Sequence, residues 1–238
     1  MIEYKIYNVT ELATNCIYLV DKATGCNAVV DPGAKSDKLI EQINADGGKL
    51  DYVLLTHGHY DHITFAKQLA DMFSAKIITG KANKDFLSNS TLNLSAFHSL
   101  NIEPFNADVY LEDGDTFSIG ESKVKYISTP GHTMGCGCFI TDNLLICGDT
   151  LFCESYGRTD LPTGDNGSMV NSFKKLKQLE GDWYVRDYWR MDEFYRASGQ
   201  APADYLEYAR WLASCAIRRS GITGDTKTTL MEMRWSAA

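Results

Sequence analysis

No apolar run in this chain approaches the length of a membrane span. Its first residues, Met1 to Lys5, carry neither the charged nor the apolar region of a signal peptide. Positive charge is also in short supply. With 23 Lys and Arg against 31 Asp and Glu, the formal net charge is −8. That balance argues against a general surface for nucleic acid or for an anionic membrane. The seven cysteines are odd in number and scattered, so they read as reduced, partly buried thiols rather than a disulfide framework. What remains is the expectation of a cytoplasmic globular protein whose 238 residues suffice for one large domain or two small ones.

Histidine is scarce, and most of it lies together. The chain has five, none after His132, and three of them fall in Thr56-His57-Gly58-His59-Tyr60-Asp61-His62. The short apolar run Tyr52 to Leu55 precedes them and reads as a buried strand that delivers them at its C-terminal end. His57 and His59 are two apart and share a side in extended backbone, and Gly58 between them leaves room for close approach to an ion. Asp61 and His62 follow the turn and face the same point from another direction. Imidazole nitrogens and carboxylate oxygens suit zinc at about 2.0–2.1 Å.

Along the rest of the chain, Asn15 to Val20 and Asn27 to Val30 read as strands, the second stopped by Asp31-Pro32-Gly33. Ser36 to Asn44, Thr64 to Phe73 and Ser168 to Leu179 have helical spacing, with Phe65, Leu69, Met72 and Phe73 expected to face a core. Gly80 to Phe105 is polar and irregular, and is expected to lie near the site; His98 within it reads as a surface or locally bonded side chain. Strands resume from Val109, and His132, in Thr129-Pro130-Gly131-His132-Thr133, follows one directly. A hairpin over Cys138 to Cys147 ends at Gly148-Asp149-Thr150, and Asp182 to Val185 starts another strand. Cys136 and Cys138 read as core residues rather than ligands. Two successive sets of strands and helices predict a two-sheet core with helices outside and polar groups gathered at strand ends.

Asp31-Pro32-Gly33, Thr56 to His62, Thr129 to Thr133 and Gly148-Asp149-Thr150 together resemble, in order and spacing, the motifs of the metallo-β-lactamase-fold hydrolases. The segment from Gly148 to Phe152, with Gly157-Arg158-Thr159-Asp160-Leu161-Pro162 after it, looks most like the glyoxalase II-like (hydroxyacylglutathione hydrolase-like) branch. The resemblance runs from about Tyr4 to Val185 and implies an α/β fold, the αββα sandwich, with a metal site at one edge of the sheets. It implies that His57, His59 and His132 hold a first metal, that Asp61 and His62 bind a second, and that Asp149 bridges them. It also makes Asp61 the catalytic carboxylate. One or two zinc ions are the expected cofactor, with iron or manganese as alternatives. The implied reaction is hydrolysis of a small-molecule thioester or ester by a metal-activated hydroxide. Arg158 and Asp160 read as a salt bridge that shapes their loop. A mononuclear iron persulfide dioxygenase, needing only His57, His132 and Asp149, shares the fold and the Gly-Arg-Thr-Asp loop. A catalytically impaired metal-binding protein is the rival from another class.

The resemblance stops near residue 185, where the family carries a last histidine ligand after its final strand. Here Arg186-Asp187-Tyr188-Trp189 follows instead, and Asp187 is the only nearby substitute. Seven of the eight arginines lie from Arg186 onward, whereas Lys227 is the sole lysine beyond Lys177. The expected division is therefore a metallo-β-lactamase-like domain over 1–185 and a tail of different origin over 186–238, with an amphipathic helix at Asp204 to Arg219. On this reading the second metal is weakly held and activity reduced.

Overall fold

The computed structural model describes residues 1–142, 144–152, 155–179 and 184–187. The expected tail helix from Asp204 to Arg219 lies outside the described residues. Two sheets form the centre. One has six strands in chain order: β1 (Ile2–Asn8), β2 (Asn15–Asp21), β3 (Asn27–Val30), β4 (Tyr52–Leu55), β5 (Lys76–Gly80) and β6 (Val109–Leu111). The other has five, in the order β11 (Tyr184–Asp187), β10 (Leu144–Gly148), β9 (Gly137–Thr141), β8 (Ser122–Ser128) and β7 (Thr116–Ile119).

The period of two in the buried strands decides which residues meet. Ile17, Leu19, Val30, Leu54 and Ile78 of the first sheet face Val124, Tyr126, Phe139, Leu144 and Ile146 of the second. The alternate residues Tyr18, Val29, Val53, Leu55 and Ile77 turn outward onto Leu39 and Ile43 of α1 (Asp37–Ala45) and onto Ala66 and Leu69 of α3 (Ala66–Phe73). On the far side Ile127, Ile140 and Leu145 meet Met169, Phe173 and Leu176 of α4 (Asn166–Leu176). The layers are thus helix, sheet, sheet, helix, as the sequence predicts.

Helix boundaries differ from expectation for local reasons. The helix expected over Thr64 to Phe73 starts two residues later: α2 (Tyr60–Ile63) ends first, the Phe65 amide donates to the Pro32 carbonyl (3.0 Å), and α3 starts at Ala66. With that start the buried stripe runs through Ala66, Leu69 and Ala70, so Met72, expected in the core, is 52% exposed. Helix α4 begins two residues earlier than predicted because Asp165 caps it, its Oδ1 accepting from the Ser168 amide at 2.6 Å.

One polar tie joins the sheets. Asp21, buried at the end of β2, accepts from the hydroxyl of Ser122 on β8 (2.6 Å), from the Thr24 hydroxyl and from the Ala23 amide. The Ser122 bond, with the Thr24 bonds behind it, holds the carboxyl far below the usual range against the opposing effect of burial. A depressed folded pKa stabilises above the ordinary carboxylate pKa, and the gain is lost as pH falls through the folded value. Asp21→Ala is expected to lower the thermal midpoint at neutral pH by roughly 3–8 °C. The deficit against wild type should shrink in acid, as read by circular dichroism.

Candidate metal centre

The fold brings strand ends from both sheets to one edge. Strands β3 and β4 are parallel neighbours, so Asp31 and the Thr56-His57 pair leave them on the same side. Strands β8 and β10 both run antiparallel to β9, which places the segments carrying His132 and Asp149 at a common edge as well. Strand β11 runs parallel to β10, with Asp187 in register with Gly148, next to Asp149.

Two groups of potential ligands result. His57, His59 and His132 form one, and His57, His62 and Asp149 form the other; within each group the ligand atoms lie within 4.8 Å of one another. His57 belongs to both. Asp61 stands beside the second group, its Oδ2 3.4 Å from His62 Nε2, and Asp149 lies between the groups at 3.2 Å from His62 Nε2 and 3.3 Å from His132 Nε2. All six predicted residues are thus neighbours, and all are buried.

The donor set fits a divalent cation. Among the described residues the buried His57 Nε2 has no hydrogen-bond partner, an arrangement that is unfavourable unless something else occupies the lone pair. His59 Nδ1 and His132 Nε2 are 2.9 Å apart. Two nitrogens bound to one ion at about 2.0–2.1 Å stand about 2.9–3.4 Å apart for angles between a right angle and the tetrahedral one. Burial, with the neighbouring histidines, holds His57 and His59 well below the ordinary imidazole value, so both rings present lone pairs. At His62 burial acts in the same direction, but the carboxylates of Asp61, Asp149 and Asp31 outweigh it and push the ring well above that value. Three carboxylates that favour a proton there equally favour a cation. Burial raises Asp61, helped by Asp149 and opposed by His62, whereas His62 and His132 hold Asp149 low despite its burial.

Behind these residues lies a layer that orients them. The carbonyl of Arg158 can only accept, so His132 donates to it from Nδ1 (2.7 Å) and turns Nε2 inward. Asp31 accepts from the Thr56 amide at Oδ1 (2.8 Å) and from the Thr56 hydroxyl at Oδ2 (2.6 Å), with His62 Nδ1 at 2.9 Å from the same Oδ2. Thr14, from the loop between β1 and β2, donates its hydroxyl to Asp61 (3.1 Å). Arg158 and Asp160 form the expected bidentate pair, at 2.6 and 2.7 Å, and so brace the loop that carries the carbonyl.

The sequence singled out Asp31 as a strand stop and as part of a family motif, without this orienting role, and Thr14 not at all. Asp31 offered one signal: it adopts a positive φ of 51°, tolerable for aspartate but uncommon. Gly58 has a different reason from the one expected. A Cβ there would meet Phe86 Cβ at 2.3 Å, so the glycine admits the fully buried Phe86 rather than an ion. Gly33 is tighter, since its Cβ would stand 1.5 Å from the Asp61 carbonyl oxygen. Gly33→Ala therefore forces backbone apart. We expect it to cost about 3 kcal/mol by chemical denaturation and to weaken cation binding at His62 in titration calorimetry.

The expected placement of the Gly80 to Phe105 segment holds. Asn93 accepts the Tyr60 amide through its carbonyl (2.8 Å), and exposed His98 stacks on Tyr60 with ring centres 4.3 Å apart. Cys136 and Cys138 are buried and belong to neither ligand group. Among the described residues no helix is long and apolar enough to cross a membrane.

Comparison with known proteins agrees with this geometry. Residues 9–186 match the model of the metallo-beta-lactamase superfamily. A hydroxyacylglutathione hydrolase of Haemophilus influenzae is 32% identical over 183 residues, covering 75% of this chain and 86% of that protein. A probable polyketide biosynthesis zinc-dependent hydrolase of Bacillus velezensis is 32% identical over 166 residues, 68% of this chain and 66% of the other. Among solved structures, the BLEG-1 B3 metallo-beta-lactamase superposes with a TM-score of 0.73 at 27% identity, covering 79% of this chain and 92% of that one. With its layers, its strand-end ligands and three quarters of its length accounted for in this way, the chain belongs to the metallo-beta-lactamase superfamily.

Proposed function

We propose that this protein is a metal-dependent hydrolase of thioesters or related small esters, of the hydroxyacylglutathione hydrolase type, working in the cytoplasm. The observation that carries the metal half is His57: its Nε2 is buried and, among the described residues, without a hydrogen-bond partner, and the residue belongs to both ligand groups. The substrate half is supported by the Haemophilus influenzae relative, 86% of whose length the chain covers. His57, His59 and His132 hold one cation, Asp61 and His62 a second, and Asp149 lies between. A cation bound there lowers the pKa of a water toward neutrality and polarises an acyl carbonyl.

The chain's own residues supply orientation and proton handling. The Arg158 carbonyl fixes His132 and the Asp31 carboxylate fixes His62, so neither ring reorganises during turnover. Asp61 is the carboxylate assigned to catalysis. Thr14 anchors its Oδ2, which positions the carboxylate to receive a proton from the attacking water. Zinc is the proposed ion, in line with the description of the Bacillus velezensis relative as zinc-dependent; iron or manganese would find the same nitrogen and oxygen donors.

The test is turnover of S-lactoylglutathione by the full chain, loaded in turn with zinc, manganese and iron. Thioester cleavage without oxygen uptake is the expected result. A chain that leaves the thioester intact but consumes oxygen with glutathione persulfide is instead a dioxygenase. One that opens only β-lactams overturns the substrate assignment.

A further inference from the structure

Cys138 and Cys147 lie on neighbouring antiparallel strands, one residue beyond the Phe139–Ile146 pair on each. Counting back to the hairpin turn fixes the kind of pair they make. Thr141 and Leu144 flank a two-residue turn in which Asp142 takes a φ of 47°, and such flanking residues are hydrogen-bonded. Pair types alternate from there, so the two cysteines occupy a non-hydrogen-bonded position, where Cα atoms stand about 4.5 Å apart. Disulfides span Cα separations of about 4.4–6.8 Å.

The side chains agree with the register. Both cysteines are free thiols on the face of the second sheet covered by α4, packed in one cluster with Ile140, Leu145, Met169 and Phe173. The Cys147 thiol donates to the Leu145 carbonyl on its own strand (3.9 Å). Cys138 Sγ is 3.5 Å from the Thr129 hydroxyl, which in turn is 2.8 Å from the Thr150 hydroxyl. Thr129 opens the turn to His132, and Thr150 follows Asp149. No other described pair of cysteines has this placement: Cys16 lies in the outer cluster of the first sheet, Cys26 is half-buried, and Cys136 faces Thr133.

We propose that Cys138 and Cys147 are a reversible dithiol–disulfide pair, oxidised by a small peroxide, that ties the start of β9, which follows the His132 turn, to the end of β10, which leads into Asp149. A small oxidant is required because the two residues are 0% and 1% exposed. One sulfur, as thiolate, attacks the peroxide; the O–O bond breaks, a sulfenic acid forms and the first water leaves. The second sulfur attacks that sulfenic sulfur; the S–O bond breaks, the S–S bond forms and the second water leaves. The thiols lose two electrons and two protons between them, and the peroxide is reduced to water. The pairing rests on strand register and packing, so it stands whether or not the substrate assignment does.

The experiment treats the full chain with graded hydrogen peroxide, quenches it, alkylates under denaturing conditions and maps the peptides by mass spectrometry. Expected is a linked Cys138–Cys147 peptide about 2 Da lighter than the two reduced peptides together. It should grow as both alkylated cysteines disappear in step, and a dithiol reductant should reverse it. C138S and C147S should each give no linked peptide at either remaining position. Should a variant be unfolded by circular dichroism, the wild-type map decides alone. The proposal is overturned if Cys138 and Cys147 remain alkylatable at a dose that oxidises Cys26, or if either links to a different cysteine.

Discussion

Replacing His57 by alanine is expected to abolish turnover, by about a thousandfold or more, and to strip the cation held with His59 and His132. The magnitude is that lost when a group stabilising charge in the transition state is removed. The cation loss follows from geometry, because His57 stands with His59 and His132 in one ligand group. His59→Ala should deplete the same position. Stability measured in chelator offers a control. His57 is 0% exposed, so truncation removes packing, yet it also removes a buried nitrogen without a partner among the described residues. The two effects oppose, and we expect a net change of about 1 kcal/mol. A residue kept for packing would show the reverse: a large stability loss with activity per folded molecule intact.

Asp31→Ala is the second large effect, and it acts without touching a cation. Its carboxylate holds the His62 ring and both polar groups of Thr56. Losing an orienting partner of this kind lowers metal affinity by about 10–100-fold. It also strands the buried Thr56 amide, at a cost of about 1–3 kcal/mol. Asp31→Asn separates the two consequences. An amide oxygen can still accept from the Thr56 backbone, but its NH2 faces the Thr56 hydroxyl and the His62 Nδ1, which now lack an acceptor. Denaturation should therefore recover much of the stability with asparagine, while cation titration should not recover the affinity.

These residues also mark where reading the sequence succeeds and where it stops. The clustering of the candidate ligands was legible because metal chemistry demands rare residue types at short spacing, and three of the five histidines fall between His57 and His62. The sandwich was legible because alternating apolar strands leave few other ways to bury both faces. The supporting layer was not, since its contacts cross the chain: Thr14 meets Asp61 from 47 positions away, Asp31 meets His62 from 31, and the ring pair His59–His132 spans 73. Thr14 has no local signal at all. Phe86 against Gly58 was missed for a similar reason, as a glycine between two candidate ligands invites an explanation by the ion. Helix starts were misplaced where a cap decided them, at Asp165, or where a carbonyl from another segment intervened, as Pro32 does at Phe65.

The absence of histidine beyond His132 bears on the second cation position more than the first. His57, His59 and His132 need nothing from the chain after Asp149. The second group offers His57, His62 and Asp149 with Asp61 beside it, and Asp187 enters the same edge of the sheet through its register with Gly148. Unequal affinities are the expected outcome, with the first position filled at lower cation concentration than the second.

The most direct test of the metal centre is elemental analysis of the full chain purified without added metal, set beside His57→Ala prepared identically. The account predicts at least one equivalent of a divalent transition metal in the wild type and close to none in the variant. A wild-type chain that stays metal-free even after dialysis against zinc, or a variant that retains the wild-type content, would contradict it.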